Sequence, residues 1–177
     1  DSGKFVRKSS EFRDSISKGG AFDVESGRYH LYISHACPWA HRTLIMRTLL
    51  GLEDHISVDV VDWRMNADGS WSFNPDEEGA TADTVNGESS LEGIYNRAFE
   101  GWNESRSIGT VPGLWDKKHA TIVNNESREI IRMFDQFSKE GFGNGTTLCP
   151  PELMQEIDNM IDANYESVNN GVYKSGF

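Results

Sequence analysis

The order of hydrophobic and polar positions divides the first part of the chain into a strand, a helix and a second strand. Residues 28–34, RYHLYIS, alternate aromatic or aliphatic side chains with polar ones, which is typical of a β-strand. From Pro38 to Leu50 apolar residues recur at helical spacing, and Gly51 follows as a stop signal. Residues 55–63, HISVDVVDW, are rich in β-branched side chains and predict another strand. The β-α-β order favours a parallel pair of strands.

A hairpin and another helix are predicted after a long polar stretch, residues 64–108. The segments TVPGLWD (110–116) and ATIVNN (120–125) predict two antiparallel strands joined by a turn. Residues 125–137 carry apolar side chains on one helical face, and Asn125 is a suitable N-cap. The predicted order is therefore β-α-β, long insertion, β-β-α.

A glycine-rich segment separates this α/β region from a last amphipathic helix. The apolar stripe of that helix has few downstream residues to pack against, so we expect it to begin a larger, incomplete helical domain. We therefore predict an N-terminal extension, an α/β domain, a linker and the first helix of the helical domain. Their ranges are 1–27, 28–138, 139–150 and 151–177.

Charge and composition exclude several classes of function. The net charge of −11 argues against nucleic acid or an anionic membrane as the main partner. Eight acidic residues and one basic residue lie between 76 and 104, so we interpret 64–108 as an acidic, solvated insertion. No window reaches the roughly 18 apolar residues of a membrane span. The two cysteines are too few for a disulfide framework, which favours a reducing compartment, the cytoplasm or an organelle.

Candidate chemistry lies in SHACPWAHRT, residues 34–43. Cys37 stands where a strand ends and a helix begins, facing unpaired amide groups and the positive end of the helix dipole. Both features favour the thiolate, so we expect the pKa of the thiol to fall below about 8.5. His41 and Arg42 follow within about one helical turn and add positive potential. The alternative is a buried, unreactive cysteine.

Zinc binding is a second alternative for the same stretch. His35, Cys37 and His41 form an H-x-C-x3-H pattern, and three mixed ligands are able to hold zinc. The three residues straddle a helix start, however, and no further Cys/His cluster completes a ligand set. We therefore expect no metal.

Two later blocks add features of a ligand site. The pair Val111–Pro112 leads into a strand, which suggests a cis proline beside a backbone segment that pairs with an extended peptide. An edge-strand proline without a ligand is the alternative. Glu126 and Ser127 stand at a helix start, where free N–H groups and the hydroxyl suit a carboxylate and Glu126 suits an ammonium group. Alternatively, Glu126 only stabilises the helix dipole.

Taken together, the Cys-Pro, Val-Pro and Glu-Ser blocks resemble the glutathione-binding, thioredoxin-like domain of the glutathione transferases. CPWAHRT, GSWSF, TVPGLWDKK, NNESREII and VNNGVYKSGF are similar to segments of the glutathionyl-hydroquinone reductases, the xi class of that superfamily. The resemblance implies a thioredoxin-like domain followed by the start of an all-helical C-terminal domain. It also implies glutathione as co-substrate, no metal, and a homodimer of the full-length protein.

The resemblance also implies roles for individual residues. Cys37 matches the catalytic cysteine, and Pro112 matches the structural cis-proline. Tyr173 matches a tyrosine that lines the quinone pocket. The implied contacts to glutathione are Trp71, Arg106, Val111, Glu126 and Ser127.

The function implied is the reduction of glutathionyl-hydroquinones through a mixed disulfide between Cys37 and glutathione. CPWA has no second cysteine at the spacing of a dithiol motif, so an external thiol must resolve that disulfide. Two other functions stay open. One is an omega-like, glutathione-dependent thioltransferase or dehydroascorbate reductase, and the other is a non-catalytic glutathione-binding fragment.

Overall fold

The fold is seen in a computed structural model that describes residues 10–102 and 108–176. The described residues form two compact units, Ser10–Thr146 and a helical segment from Thr147 to Gly176. The strands of the larger unit are Tyr29–Ser34 (β1), Ile56–Val61 (β2), Gly113–Asp116 (β3) and Thr121–Asn124 (β4). Its helices are Pro38–Leu49 (α1), Leu91–Ala98 (α2) and Ser127–Lys139 (α3).

The strands form one mixed sheet in the order β2-β1-β3-β4. The pair β1–β2 is parallel, whereas β1–β3 and β3–β4 are antiparallel. Tyr29 lies opposite both Ile56 and Asp116, which places the start of β1 beside the end of β3. The predicted β-α-β…β-β-α fold is confirmed.

Every residue of the central strand β1 is buried, including the polar ones that alternate with the apolar ones. Tyr29 points to α3, where its ring meets Phe137 edge-on at 5.7 Å. On the opposite face, Tyr32 donates a hydrogen bond to Asp83 (2.9 Å) in the insertion, and His30 lies 3.1 Å from Asp59. The polar positions of β1 therefore face a buried polar network instead of solvent.

The insertion 64–108 contains a helix that sequence reasoning missed. Helix α2 is capped by Ser90, whose hydroxyl oxygen accepts from the backbone N–H of Gly93 (3.3 Å). Its apolar residues follow a helical i, i+3, i+4, i+7 spacing and pack into the hydrophobic core of the larger unit. They are Leu91, Ile94, Tyr95 and Ala98. The Ser90 cap and this spacing were the available signals, but the surrounding polar composition masked them.

Part of the predicted N-terminal extension runs along the edge of the sheet. Arg13 forms an antiparallel bridge with Asn124, and the N–H of Asp14 donates to the carbonyl of Val123 (3.0 Å). Ile16 is buried in the core. This segment therefore covers the free edge of β4.

The second unit was predicted as the first helix of a helical domain, 151–177, and its described residues are helical from Pro151 to Gly176 with a change of helix type along the way. The successive pieces are a 3₁₀ turn (Pro151–Leu153), α4 (Met154–Asn164), a π-helical turn (Tyr165–Asn169) and α5 (Asn170–Gly176). Several apolar side chains of this unit are exposed, among them Met160, Val168 and Val172. Within the described ranges, no helix has both the length and the apolar character to cross a membrane.

Candidate functional site

Cys37 lies at the open start of α1. It is the N-cap residue, with extended backbone angles (φ −98°, ψ 113°) and no side-chain capping bond, and Pro38 occupies the first helical position. The turn that carries it is fixed by Ser34, whose hydroxyl accepts from Ala36 (3.3 Å) and donates to the carbonyl of Asp62 (3.1 Å). The half-buried thiol is thus held at the end of β1 beside the first helical N–H groups.

The Val111–Pro112 segment lies directly opposite the thiol. Its peptide bond is cis, and the Sγ atom of Cys37 lies 3.5 Å from the carbonyl oxygen of Val111. Pro112 is followed at once by β3, which pairs with β1. The two sequence blocks that were predicted to form one site are therefore in contact.

The start of α3 carries a polar cluster of Glu126, Ser127 and Arg42. The guanidinium of Arg42, on α1, donates to the Ser127 hydroxyl from Nε (2.9 Å) and Nη2 (2.6 Å). Its Nη2 also lies 3.6 Å from Glu126 Oε1. The same guanidinium lies 4.8 Å from the ring centre of Trp39, in cation–π geometry. Arg42 therefore links the helix of the thiol to the predicted γ-glutamyl site.

Glu126, not Asn125, is the N-cap of α3, so the predicted cap is wrong. The Glu126 carboxylate accepts from the backbone N–H of Arg128 (3.2 Å) and from the hydroxyl of Ser10 (3.1 Å). Asn125 cannot cap the helix because its side chain is used elsewhere: its oxygen accepts from Phe12 N (3.2 Å) and its amide donates to Tyr95 (3.2 Å).

Trp71 is anchored to the start of α2. Its carbonyl accepts from the N–H of Leu91 (2.9 Å), and its own N–H donates to Glu92 Oε2 (3.3 Å). The other carboxylate oxygen of Glu92, Oε1, is buried. None of the residues that the structure describes donates a hydrogen bond to it. Burial raises the pKa of Glu92, and the hydrogen bonds from backbone N–H groups only partly offset this. Sequence reasoning missed Glu92, because its position depends on the unforeseen helix.

The remaining predicted residues lie outside the described part of the larger unit. Arg106 lies outside the described residues. Tyr173 stands on α5 in the second unit, partly buried. Cys149, the second free cysteine, also belongs to that unit, where its sulfur lies 3.4 Å from that of Met154.

A metal centre is not assembled by the residues that the structure describes. Among them, no group of three or more His, Cys, Asp or Glu side chains is placed to hold an ion. His35 and His41, which flank Cys37 in the H-x-C-x3-H pattern, are both exposed.

Residues 36–136 match the family model described as "Glutathione S-transferase, N-terminal domain". The chain belongs to the glutathione S-transferase family. The matched range contains Cys37, the cis-proline segment and the Glu126–Ser127 helix start.

Two curated relatives cover nearly the whole chain. "Glutathione S-transferase omega-like 2" of Schizosaccharomyces pombe is 47% identical over 99% of this chain and 56% of its own length. "Glutathionyl-hydroquinone reductase YqjG" of Escherichia coli is 46% identical over 99% of this chain and 55% of its own. The chain thus spans just over half the length of these relatives.

Solved structures of a xi-class glutathione transferase and of a glutathione transferase homolog share the fold. A glutathione transferase Xi from Phanerochaete chrysosporium superposes with a TM-score of 0.89 at 45% identity, covering 98% of this chain and 58% of that one. A glutathione-bound structure of YqjG from Escherichia coli gives 0.85 at 45% identity, covering 94% and 55%. The resemblance to the xi class, drawn from the sequence blocks, is confirmed.

The geometry suits one kind of ligand. A thiol at a helix start favours an incoming sulfur, and the carbonyl beside it offers a backbone partner. The polar cluster at the start of α3 offers a carboxylate, a hydroxyl and helix N–H groups for charged ends of both signs. A thiol peptide with a free amino acid end combines these features.

Proposed function

We propose that this chain supplies the glutathione-binding and thiol chemistry of a glutathionyl-hydroquinone reductase. The observation that carries the proposal is the placement of Cys37 at the open start of α1, with its sulfur 3.5 Å from the carbonyl of Val111. The name of the relative YqjG gives the substrate class. The activity belongs to the whole protein, because this chain spans just over half the length of that relative.

In this proposal glutathione lies between Cys37 and the start of α3. The backbone of Val111 binds the cysteinyl part, and cis-Pro112 directs that backbone toward the thiol. Glu126 pairs with the α-ammonium, whereas Ser127 and the helix N–H groups hold the α-carboxylate. Trp71 and Arg106 complete the glutathione contacts, and Tyr173 serves the quinone side.

The reaction proceeds in two steps, and in each of them a thiolate attacks a sulfur atom. The Cys37 thiolate attacks the glutathione sulfur of the conjugate, so that an S–S bond forms and the aromatic C–S bond breaks. The electron pair of the broken bond stays on the ring carbon, which takes up a proton to give the hydroquinone. A second glutathione, as thiolate, then attacks the mixed disulfide, releasing glutathione disulfide and the Cys37 thiolate.

The remaining proposals concern organisation. We propose the domain ranges 28–138 for the glutathione-binding domain, including the acidic insertion 64–108, 139–150 for the linker, and 151–177 for the start of the helical domain. The extension is 1–27. We also propose a homodimer of the whole protein in the cytoplasm, where thiols stay reduced. Its partners are glutathione and glutathionyl-hydroquinones, with no metal, nucleic acid or membrane.

The test is the Cys37→Ser variant, assayed on glutathionyl-menadiol. Turnover is expected to vanish, whereas the affinity for glutathione, measured by titration calorimetry, stays within about twofold because the thiol adds little to binding. Cys149→Ser is the matched control and keeps its turnover. Retained turnover in Cys37→Ser would overturn the proposal.

A second candidate is an omega-like thioltransferase or dehydroascorbate reductase, since one close relative carries an omega-like name. Rates on a glutathione mixed disulfide and on dehydroascorbate, compared with the rate on glutathionyl-menadiol, separate the two. Glutathione binding without turnover on any of these substrates would favour the non-catalytic fragment.

A further inference from the structure

The hydroxyl of Tyr95, on helix α2, joins the two halves of the candidate glutathione site. It donates to the carbonyl oxygen of Thr110 (2.7 Å) and accepts from the side-chain amide of Asn125 (3.2 Å). Thr110 is the residue directly before Val111, and Asn125 is the residue directly before Glu126. A second contact closes the link, because the Asn125 amide also reaches the Thr110 hydroxyl (3.2 Å).

The ring of Tyr95 is held from several sides, so its hydroxyl has a fixed position. Tyr95 is fully buried, and its ring contacts Phe12 (5.6 Å, edge-on) and Trp102 (4.8 Å, tilted). The backbone at Gly109 also lies close, since a Cβ there would stand 3.0 Å from the ring. A side chain held this firmly transmits its position to whatever its hydroxyl bonds.

We propose that Tyr95 is a positioning residue that sets the separation between the Val111 segment and the Glu126–Ser127 helix start. This inference rests on the proposed function, in which glutathione spans these two points with its cysteinyl and γ-glutamyl parts. A rigid separation lowers the ordering cost for a ligand that binds both points at once. The same rigid separation does not improve the binding of a ligand that contacts only the region beside Cys37. Tyr95 therefore contributes to selectivity for the γ-glutamyl peptide.

The test compares two disulfides that react with the same thiol. Glutathione disulfide spans both halves of the site, whereas 2-hydroxyethyl disulfide lacks the γ-glutamyl group. In each case the Cys37 thiolate attacks one sulfur, forms a mixed disulfide and releases the other half as a thiolate. The rate constants are measured on the chain carrying Cys149→Ser, by mass spectrometry of the Cys37 adduct, and their ratio defines the selectivity.

The variant Tyr95→Phe keeps the buried ring and removes the hydroxyl. We expect the selectivity for glutathione disulfide to fall about fivefold, because the link from Thr110 to Asn125 through this hydroxyl is lost, with the rate on 2-hydroxyethyl disulfide nearly unchanged. A merely structural role would lower both rates together and leave the ratio intact.

Tyr32→Phe is the matched control, because Tyr32 also has a buried hydroxyl with two partners in the insertion. It donates to Asp83 (2.9 Å) and accepts from Asn86 (2.9 Å), neither of which adjoins a proposed glutathione contact. This variant is expected to lower the urea midpoint as Tyr95→Phe does, but to keep the selectivity. Thr110→Val, which removes one hydroxyl on an exposed residue, gives a smaller loss of selectivity and serves if Tyr95→Phe fails to fold.

The outcomes separate the inference from the function on which it rests. If the starting chain shows no preference for glutathione disulfide, the proposed function fails and the inference falls with it. If it shows that preference and Tyr95→Phe, or Thr110→Val in its place, retains it fully, only the inference is overturned. An equal loss in Tyr32→Phe also overturns it.

Discussion

The two ends of the central sheet use the same kind of side chain for different purposes. At one end, before β1, Arg28 forms a double contact with Asp116 (2.8 and 2.7 Å), and their side chains are 3% and 0% exposed. At the other end, beyond β1, Arg42 contacts Ser127 and Glu126, and its side chain stays 26% exposed. The guanidinium of Arg28 is buried together with its partner, whereas that of Arg42 is partly exposed to solvent.

We infer from this difference that one end of the sheet contributes mainly to stability and the other end mainly to ligand binding. A buried, fully hydrogen-bonded ion pair cannot change partners without leaving a charge unpaired, so it fixes the structure. A partly exposed guanidinium on a hydroxyl and a carboxylate can exchange partners at low cost. The end that carries Cys37 and the cis-proline segment is the end where such exchange is possible.

Arg28→Met should break the closed end and give the largest loss of stability. Removing one partner of a buried pair costs about 3–5 kcal/mol in the free energy of unfolding. Asp116 stays buried and loses its guanidinium partner, keeping His119 (2.7 Å) and the N–H of Lys118 (3.0 Å). The affinity for glutathione should stay within about twofold, since the change lies at the far end of the sheet. Urea unfolding and titration calorimetry at pH 7 measure both quantities.

The pH dependence of that loss gives a second check. Burial raises the pKa of Asp116, but the hydrogen bond from Arg28 and further contacts outweigh it, so the pKa lies below its ordinary value. The stabilisation by the pair is therefore present above about pH 4 and is lost as the pH falls through the lowered pKa. The difference between the two proteins should shrink in acid, and a constant difference would contradict this explanation.

Arg42→Met should break the open end, with a large effect on binding and a small one on stability. Ser127 loses both guanidinium donors, and the affinity for glutathione should fall about tenfold, the effect of one charge-assisted hydrogen bond. The free energy of unfolding should drop by less than about 1 kcal/mol, because the group is partly exposed and screened. Both are measured in the Cys37→Ser background.

Arg42→Lys is the control for this change. Lysine keeps the charge but cannot place two nitrogens on one hydroxyl, so an intermediate affinity is expected. If Arg42→Met lost much of its free energy of unfolding and kept its affinity for glutathione, the proposed contrast between the two ends would be wrong.

Glu92→Gln should give the smallest effect and sharpens the comparison with Asp116. No Lys, Arg or His of the described residues forms an ion pair with Glu92, and burial raises its pKa. The protonated form is thus favoured in the folded state, and its stabilisation is lost as the pH rises from about 4.3 through the raised pKa. The variant, always neutral, should gain stability relative to the parent between acid and neutral pH. Urea midpoints at several pH values test this, and a relative loss at neutral pH would contradict it.

Sequence reasoning worked where the deciding interactions are local. The strand before Cys37, the proline that starts α1 and the short β3–β4 hairpin are all set by neighbouring residues, and these elements were predicted within a few positions. It failed where distant segments compete. Asn125 has the right chemistry for an N-cap, but Phe12 and Tyr95 engage its side chain, which leaves the cap to Glu126.

Burial on α1 shows the same limit. Ile45 and Leu49 are among the apolar residues that recur at helical spacing from Pro38 to Leu50, yet they are 46% and 54% exposed. Ala40 and Thr43 are the buried positions of this helix instead. Spacing defines which residues share a face, but only the position of α3 and the sheet decides how much of that face is covered.

The helix start at Glu126 has a kinetic consequence. Its carboxylate already accepts from Arg128 and Ser10. A glutathione ammonium held there, as proposed, would exchange these internal bonds for new ones of similar strength, so this contact would add little net free energy. Departure would be equally easy, because the internal partners are ready to re-form. Fast binding and release at this helix start suit the proposed catalytic cycle, in which two glutathione units bind in succession and leave as glutathione disulfide.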